Sequence, residues 1–266
     1  MADAGPSDDA LRSALAWMLA EYGPQGWWPV RCEGSVGHGT HGPRGTSGYH
    51  PGDFTLPATR RGRWEVTAGA ILTQNTAWSN VERALDALST ARVDRPEAIL
   101  ALDPERLATL IRPAGYFNQK ARYLRDTAQW FAASDRRLIR GARSRAKLEA
   151  ARQELLAVRG VGRETADSVL LYAYGLPTFV IDAYTRRIFE RVGAVEKGLS
   201  YEALRKRFEE ALAVDGWPQC ARAWQEAHAL IVEHAKRHHG RGSDGSLDPL
   251  HLANANRRSH RKASAG

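Results

Sequence analysis

The stretch LLAVRGVGRETAD, residues 155–167, followed fifteen residues later by Asp182 in FVIDAYTRR (179–187), decides how this chain is read. Its first part has the pattern of a helix, a two-glycine turn and a second helix. Gly160 and Gly162 flank Val161, and residues without a side chain let backbone turn sharply and approach another backbone closely. The second helix would open at Arg163-Glu164-Thr165, so its unpaired N–H groups form a ready anion site. In a basic chain the obvious anion is a nucleic-acid phosphate. A carboxylate at a fixed distance downstream turns a phosphate grip into a candidate active site. Asp182 also fits the N-cap of a helix beginning at Ala183, and the two roles are compatible.

The balance of charge agrees with a polyanionic partner. The 266 residues carry a formal charge of +8 and a pI near 9.8. Arg136, Arg137, Arg140, Arg143, Arg145 and Lys147 form a run without an acid among them, and the tail from His251 to Gly266 holds Arg257, Arg258, Arg261 and Lys262 with none either. That tail reads as a disordered basic arm. Six lysines against thirty-two arginines point to a composition bias of the genome. No apolar run approaches eighteen residues and the N-terminus lacks a basic, then apolar, leader, so neither membrane insertion nor secretion is expected. Two cysteines, Cys32 and Cys220, are too few for a disulfide framework, which suits a reducing cytoplasm, in a bacterium at the nucleoid.

Helical periodicity over residues 8–20 ends near Gly23-Pro24 and is followed by Trp27-Trp28. Residues 1–7 read as disordered. Between Arg31 and Arg63 the pattern lapses: seven glycines fall between Gly34 and Gly52, with His38, His41 and His50 among them, so residues 31–63 are expected to form a flexible insertion. Cys32 and those histidines have no regular ligand spacing. From Trp64 to Gly240 the spacing predicts helices over 64–74, 79–90, 95–101, 104–110, 116–133, 147–158, 163–174, 181–192, 200–213 and 219–238. Pro96 and Pro104 with Glu97 and Glu105 mark two helix starts. The fold class is all-α.

With GVGRETAD, the downstream VID and AILTQNTAWSNV (70–81) together, the chain resembles the helix-hairpin-helix DNA glycosylases of the endonuclease III superfamily over about residues 64–250. The resemblance implies a helical barrel, about 64–176, set into a second helical domain that joins 8–30 to 177–250, with a DNA cleft between them. It implies a monomer acting on double-stranded DNA that contains a damaged base, with Asp182 as the catalytic carboxylate. Residues Gly160, Val161, Gly162, Arg163 and Thr165 would grip a phosphate, with the hairpin carbonyls a candidate site for a monovalent cation. Gln74 and Asn75 would fill the gap left by an extruded base, and Asn118, Gln119 and Lys120 either contact phosphate or open a helix.

Strand-cleaving members resemble this chain but carry a lysine where it has Glu164; that amine forms a Schiff base with the sugar, which a carboxylate cannot do. Glutamate there resembles the 3-methyladenine glycosylase branch, whose aromatic side chains sandwich an alkylated purine, and Trp27, Trp28 and Trp78 fall at the matching positions. An electron-poor, cationic base is well served by stacking and a nearby carboxylate, although tryptophans are also ordinary core residues. Lys236 matches a lysine near the active site of that branch. Relatives that hold a [4Fe–4S] cluster end in C-x6-C-x2-C-P-L-x3-C, and this chain has His238, Gly245, Asp248 and Asn254 at those positions. The cluster is therefore expected to be absent. His228 and His239 share a helical face from which His234 is displaced, which argues against a zinc site. The expected activity is hydrolysis of the N-glycosidic bond of a damaged base, an alkylated purine first, without lyase activity. The alternatives are an endonuclease III-like glycosylase and lyase for oxidised pyrimidines, and a DNA-binding module that has lost excision.

Overall fold

A computed structural model describes residues 7–33, 48–141, 144–239 and 248–250. His38, His41, Arg143, Gly245, Asn254, residues 1–6 and the basic tail lie outside the described residues.

Eleven α-helices account for the fold among the described residues, and no strand occurs there, as the all-α reading expects. They are α1 (Asp8–Tyr22), α2 (Arg60–Leu72), α3 (Trp78–Thr90), α4 (Pro96–Ala101), α5 (Pro104–Leu110), α6 (Phe117–Gly141), α7 (Arg145–Leu156), α8 (Arg163–Ser168), α9 (Ala183–Arg191), α10 (Tyr201–Ala211) and α11 (Trp217–His238). Helix α2 is the hub. From Val66 to Leu72 every residue is buried, and it packs on α3, α6 and the wide π turn Val169–Ala173 that continues α8. A bidentate bond from Arg63 to Asp135 (2.8 and 3.1 Å) ties its start to α6, and Lys120 Nζ donates to the carbonyls of Leu72 and Ala114 at its end (2.7 and 2.8 Å). Helix α1 packs against α10 and α11, so the two ends of the described chain meet, and α9 also lies on α11.

Two boundaries differ from the sequence reading. Helix α6 runs to Gly141, well past 133, because Leu138 is buried against the fold and Arg140 sits favourably in the last turn of the helix. The segment 31–63 is not irregular throughout. Val30 N–H donates to Gly48 O (2.9 Å), His50 N–H donates to Gly26 O (3.1 Å), and Glu65 accepts from the amides of Arg31 and Cys32 (2.6 and 2.9 Å). Thr59 then caps α2 one residue before Arg60. Both ring nitrogens of His50 face backbone carbonyls, Asp53 O at 2.6 Å and Trp28 O at 2.8 Å, which leaves this histidine unsuited to the metal set considered with Cys32.

Candidate active site

The hairpin joins α7 to α8 through Ala157–Gly162. Gly160 has φ +86°, and a Cβ there would lie 2.1 Å from Cγ of Tyr123, so this position requires glycine for conformation and for space. Gly162 differs from the expectation. Its φ of −89° suits any residue, and a Cβ would meet nothing within 4 Å. What glycine provides at 162 is an open approach to the first turn of α8, which has no side-chain cap. Around the turn the atoms are only partly available. Val161 is buried and its amide donates to Val158 O (3.0 Å). Thr165 is also buried. Gln74 Nε2 donates to Gly160 O (2.9 Å) and to Thr165 Oγ1 (3.0 Å). Gln74 therefore locks the hairpin to the end of α2 instead of reaching outward. Its neighbour Asn75 is exposed at the tip of that turn with φ +52°, a conformation asparagine tolerates better than most residues. Asn118 and Gln119 are exposed at the start of α6, whereas Lys120 is buried on its two carbonyls.

Asp182 ends an extended segment and caps α9, its Oδ1 accepting from Thr185 N–H (2.6 Å) and Thr185 Oγ1 (2.7 Å). Its Oδ2 faces His228 Nε2 at 3.8 Å. That imidazole is buried, its Nδ1 is bonded to Tyr172 Oη (2.7 Å), and its Nε2 has no hydrogen-bond partner. Burial lowers the pKa of His228, opposed by the charge of Asp182. Glu164 opens to solvent in the first turn of α8, yet neighbouring protein atoms crowd its carboxyl. That crowding, with the charge of Asp182 second, pushes its carboxyl up to about 7. Two carboxylates thus share one site, and that of Glu164 is near half protonation at neutral pH.

Trp27, Trp28 and Trp78 do come together, with ring centroids 5.1–5.3 Å apart. The rings touch one another, so a base could not enter between any two without parting them, and as they stand they make a wall. Lys236 Nζ lies 5.0 Å over the Trp27 ring. Trp28 packs on Tyr172 at 5.6 Å, and Tyr172 holds His228, so the wall joins the carboxylates through the Tyr172–His228 pair. Tyr172 is aimed there by the π turn, a distortion that often marks functional positions. Sequence reading did not single out Tyr172 and weighed His228 only as a metal ligand beside His239; the signal for its place here was a histidine amid the apolar run AHALIV. A shallow groove of about 610 Å³ runs along α9 past Arg186, Arg187 and Arg191, and a smaller one of about 190 Å³ lies beside Cys32 and Trp64. Neither is lined by Asp182, Glu164 or the tryptophans.

The histidines at the end of α11 do not arrange as expected. His228 belongs to Asp182, while His234 and His239 meet at Asp248. The only two cysteines, Cys32 and Cys220, cannot supply the four thiolates of an iron–sulfur cluster. Of the hairpin carbonyls considered for a monovalent cation, those of Val158 and Gly160 already accept one hydrogen bond each.

Residues 68–213 match the HhH-GPD superfamily of base excision DNA repair proteins. The chain belongs to that superfamily. It is 36% identical over 220 residues to a protein of Methanocaldococcus jannaschii that bears the name of a DNA repair glycosylase, spanning 83% of this chain and 84% of the relative. It is 30% identical over 177 residues to endonuclease III of Thermotoga maritima, covering 65% and 73% of the two chains. Among solved structures, H. pylori 3-methyladenine DNA glycosylase bound to 1,N6-ethenoadenine superposes with a TM-score of 0.60 at 23% identity, covering 87% of this chain and 98% of the other. A trapped endonuclease III–DNA covalent intermediate superposes with 0.63 at 18% identity, covering 92% and 93%. The last two establish the fold alone. The protein is a DNA-binding base-excision glycosylase, and no helix among its described residues is long and apolar enough to cross a membrane.

Proposed function

We propose that this glycosylase hydrolyses the N-glycosidic bond of a damaged base by a water-dependent route without strand cleavage, and that its first substrate is an alkylated purine. The carboxylate pair Asp182 and Glu164 carries the reading, because Glu164 stands where the resemblance places the amine of a lyase. As the C1′–N bond breaks, its electron pair leaves with the base and positive charge builds on the sugar. Asp182 Oδ2 faces that charge and takes the proton of the attacking water. The neutral form of Glu164 hydrogen-bonds the departing base or donates a proton to it. Lys120 is an unpromising substitute amine: burial lowers its pKa to about 8, but its Nζ already donates to two carbonyls. The tryptophan wall would part to stack the extruded base, and Asn75, not Gln74, would enter the vacated duplex. Domains of 64–176 and of 8–30 with 177–250 would face each other across the DNA, with Gly160–Thr165 on a phosphate through backbone amides and Arg163 beside it. Gly162→Asp is expected to weaken affinity for abasic-site duplex at least tenfold by putting a carboxylate on that approach. Filter binding at fixed salt measures it, and unchanged affinity removes Gly162 from the grip.

A second reading, a glycosylase with lyase activity on oxidised pyrimidines, has a specific observation behind it, since several of the curated relatives are endonuclease III proteins. Base release from methylated duplex and from duplex carrying an oxidised pyrimidine, followed by borohydride trapping on abasic DNA, separates the two. Released 3-methyladenine without a covalent adduct supports the proposal. An adduct and release of oxidised pyrimidine support the second reading, and binding without release from either substrate means that excision has been lost.

The raised pKa of Glu164 gives the proposal a pH signature. Below about pH 7 the carboxyl is protonated, so the single-turnover rate should fall as pH rises through that value. Glu164→Gln, a permanent donor, should flatten this limb. The same shift predicts a stability change. The folded protein holds the Glu164 proton more tightly than the unfolded chain, so this contribution is present below the unfolded pKa and is lost as pH rises through about 7. Glu164→Gln should thus gain stability at pH 8 and little at pH 4, by roughly 1 kcal/mol once its access to water is discounted. Parallel pH profiles for both proteins would refute the assignment.

A further inference from the structure

Beyond the active site, one buried polar cluster has no part in the chemistry above. His234 and His239, at the end of α11, converge on Asp248 from the segment 248–250. Nε2 of His234 lies 3.1 Å from Asp248 Oδ1, Nε2 of His239 lies 2.8 Å from Oδ2, and the three ligand atoms fall within 4.8 Å of one another. We propose that these three side chains bind one divalent transition-metal ion, zinc being the best match, and that the ion fastens the end of α11 to α1 and to residues 248–250.

Four observations support a built site. The separations suit it: with Zn–N and Zn–O bonds of about 2.0–2.1 Å, neighbouring ligands of a tetrahedral ion lie about 3.3 Å apart. Opening the cluster by a few tenths of an ångström makes room. The side chains are 0–2% exposed, so the set is dry and enclosed. Two of the three ligands are also held from behind, the usual condition for orienting a ligand. Tyr22 Oη lies 2.7 Å from Nδ1 of His234 and can accept a hydrogen bond from Nδ1–H, leaving the Nε2 lone pair for the metal, while Leu250 N–H donates to Asp248 Oδ1 at 2.8 Å.

The fourth observation is the composition of the cluster. Asp248 is fully buried between the two imidazoles, and the nearby arginines are engaged elsewhere: Arg237 bonds to Glu233 and stacks on Tyr22, and Arg187 donates to the carbonyl of His239. Two imidazoles and a carboxylate form a borderline donor set suited to zinc or cobalt and poorly suited to magnesium or calcium. The site would be structural, so its test does not depend on which lesion is excised.

The experiment is metal analysis of the full-length, tag-free protein purified without chelator, followed by Co²⁺ titration of chelator-stripped protein. The expected result is close to one zinc per chain and visible cobalt bands of a four-coordinate site that zinc abolishes. His239→Gln and Asp248→Asn should each lower Co²⁺ affinity by about 100-fold or more. Tyr22→Phe, which keeps the packing if either variant fails to fold, should lower it about tenfold. Wild type with neither bound zinc nor cobalt bands overturns the proposal. So does metal that remains after Asp248 and His239 are replaced together in soluble protein, because other histidines would then be binding it.

Discussion

Asp182→Asn is expected to lower single-turnover base excision by at least about 10³-fold, with affinity for abasic-site duplex within about twofold of wild type. Position and chemistry separate cleanly at this residue. Oδ1 is occupied by the cap of α9, bonded to the amide and hydroxyl of Thr185, and asparagine caps a helix as well as aspartate does. The fold should therefore lose no more than about 0.5 kcal/mol. Oδ2 is the oxygen left for the reaction, facing the unpartnered Nε2 of His228. Asparagine puts a neutral atom there that can neither stabilise the sugar cation nor take the proton of water. Removing the charge also removes a cause that raises the Glu164 pKa, so in this variant Glu164 should titrate lower. Excision at the wild-type rate by Asp182→Asn would take Asp182 out of the mechanism.

How far the sequence disclosed this site depends on the kind of constraint. Local rules carried the hairpin, the capping position of Asp182 and most helix positions, because glycine geometry, capping and a 3.6-residue period act within a few residues. The convergence of Trp27, Trp28 and Trp78 came from the resemblance, and the structure adds that the rings close on one another. Side-chain partnerships across long separations were not legible. Gln74 is spent on Gly160 and Thr165, eighty-six and ninety-one residues away, and nothing near it in the chain announces this. Tyr172 reaches His228 across fifty-six residues, and only because a π turn shifts the helix face at that point. The pairing of His234 with His239 was missed for a related reason. Helical-face arithmetic fails at His239, which caps α11 with φ −127° and so no longer follows the helix.

Asp167 was quoted at the outset with no role, and it bears the second large prediction. Its carboxylate, fully buried, accepts a bidentate pair from Arg152 (2.7 and 3.0 Å), a bond from Thr178 Oγ1 (2.8 Å) and one from Tyr201 Oη (2.7 Å). These bonds tie α7 and α8 to the extended segment that ends at Asp182 and to α10, so the network sets Asp182, the proposed catalytic carboxylate, relative to the hairpin. Arg152→Met keeps much of the volume but leaves Asp167 buried without its cation, and breaking such a pair from one side costs about 3–5 kcal/mol. That corresponds to a fall of about 10 °C in melting temperature. Burial already raises the Asp167 pKa, and Arg152 is the main influence holding it down. Without that arginine the folded-state pKa climbs further above the unfolded value. The protonated carboxyl is then the form that the fold accommodates, and stability is lost as pH rises through the new folded pKa. Denaturant melts of Arg152→Met should thus show a larger deficit at pH 8 than at pH 5.5. Asp167→Asn combined with Arg152→Met should recover part of the loss, because no unpaired charge remains. A deficit below 1 kcal/mol, or one independent of pH, would mean that water or the remaining hydroxyl donors suffice for Asp167 and that the arginine is not what holds the hairpin to the segment ending at Asp182.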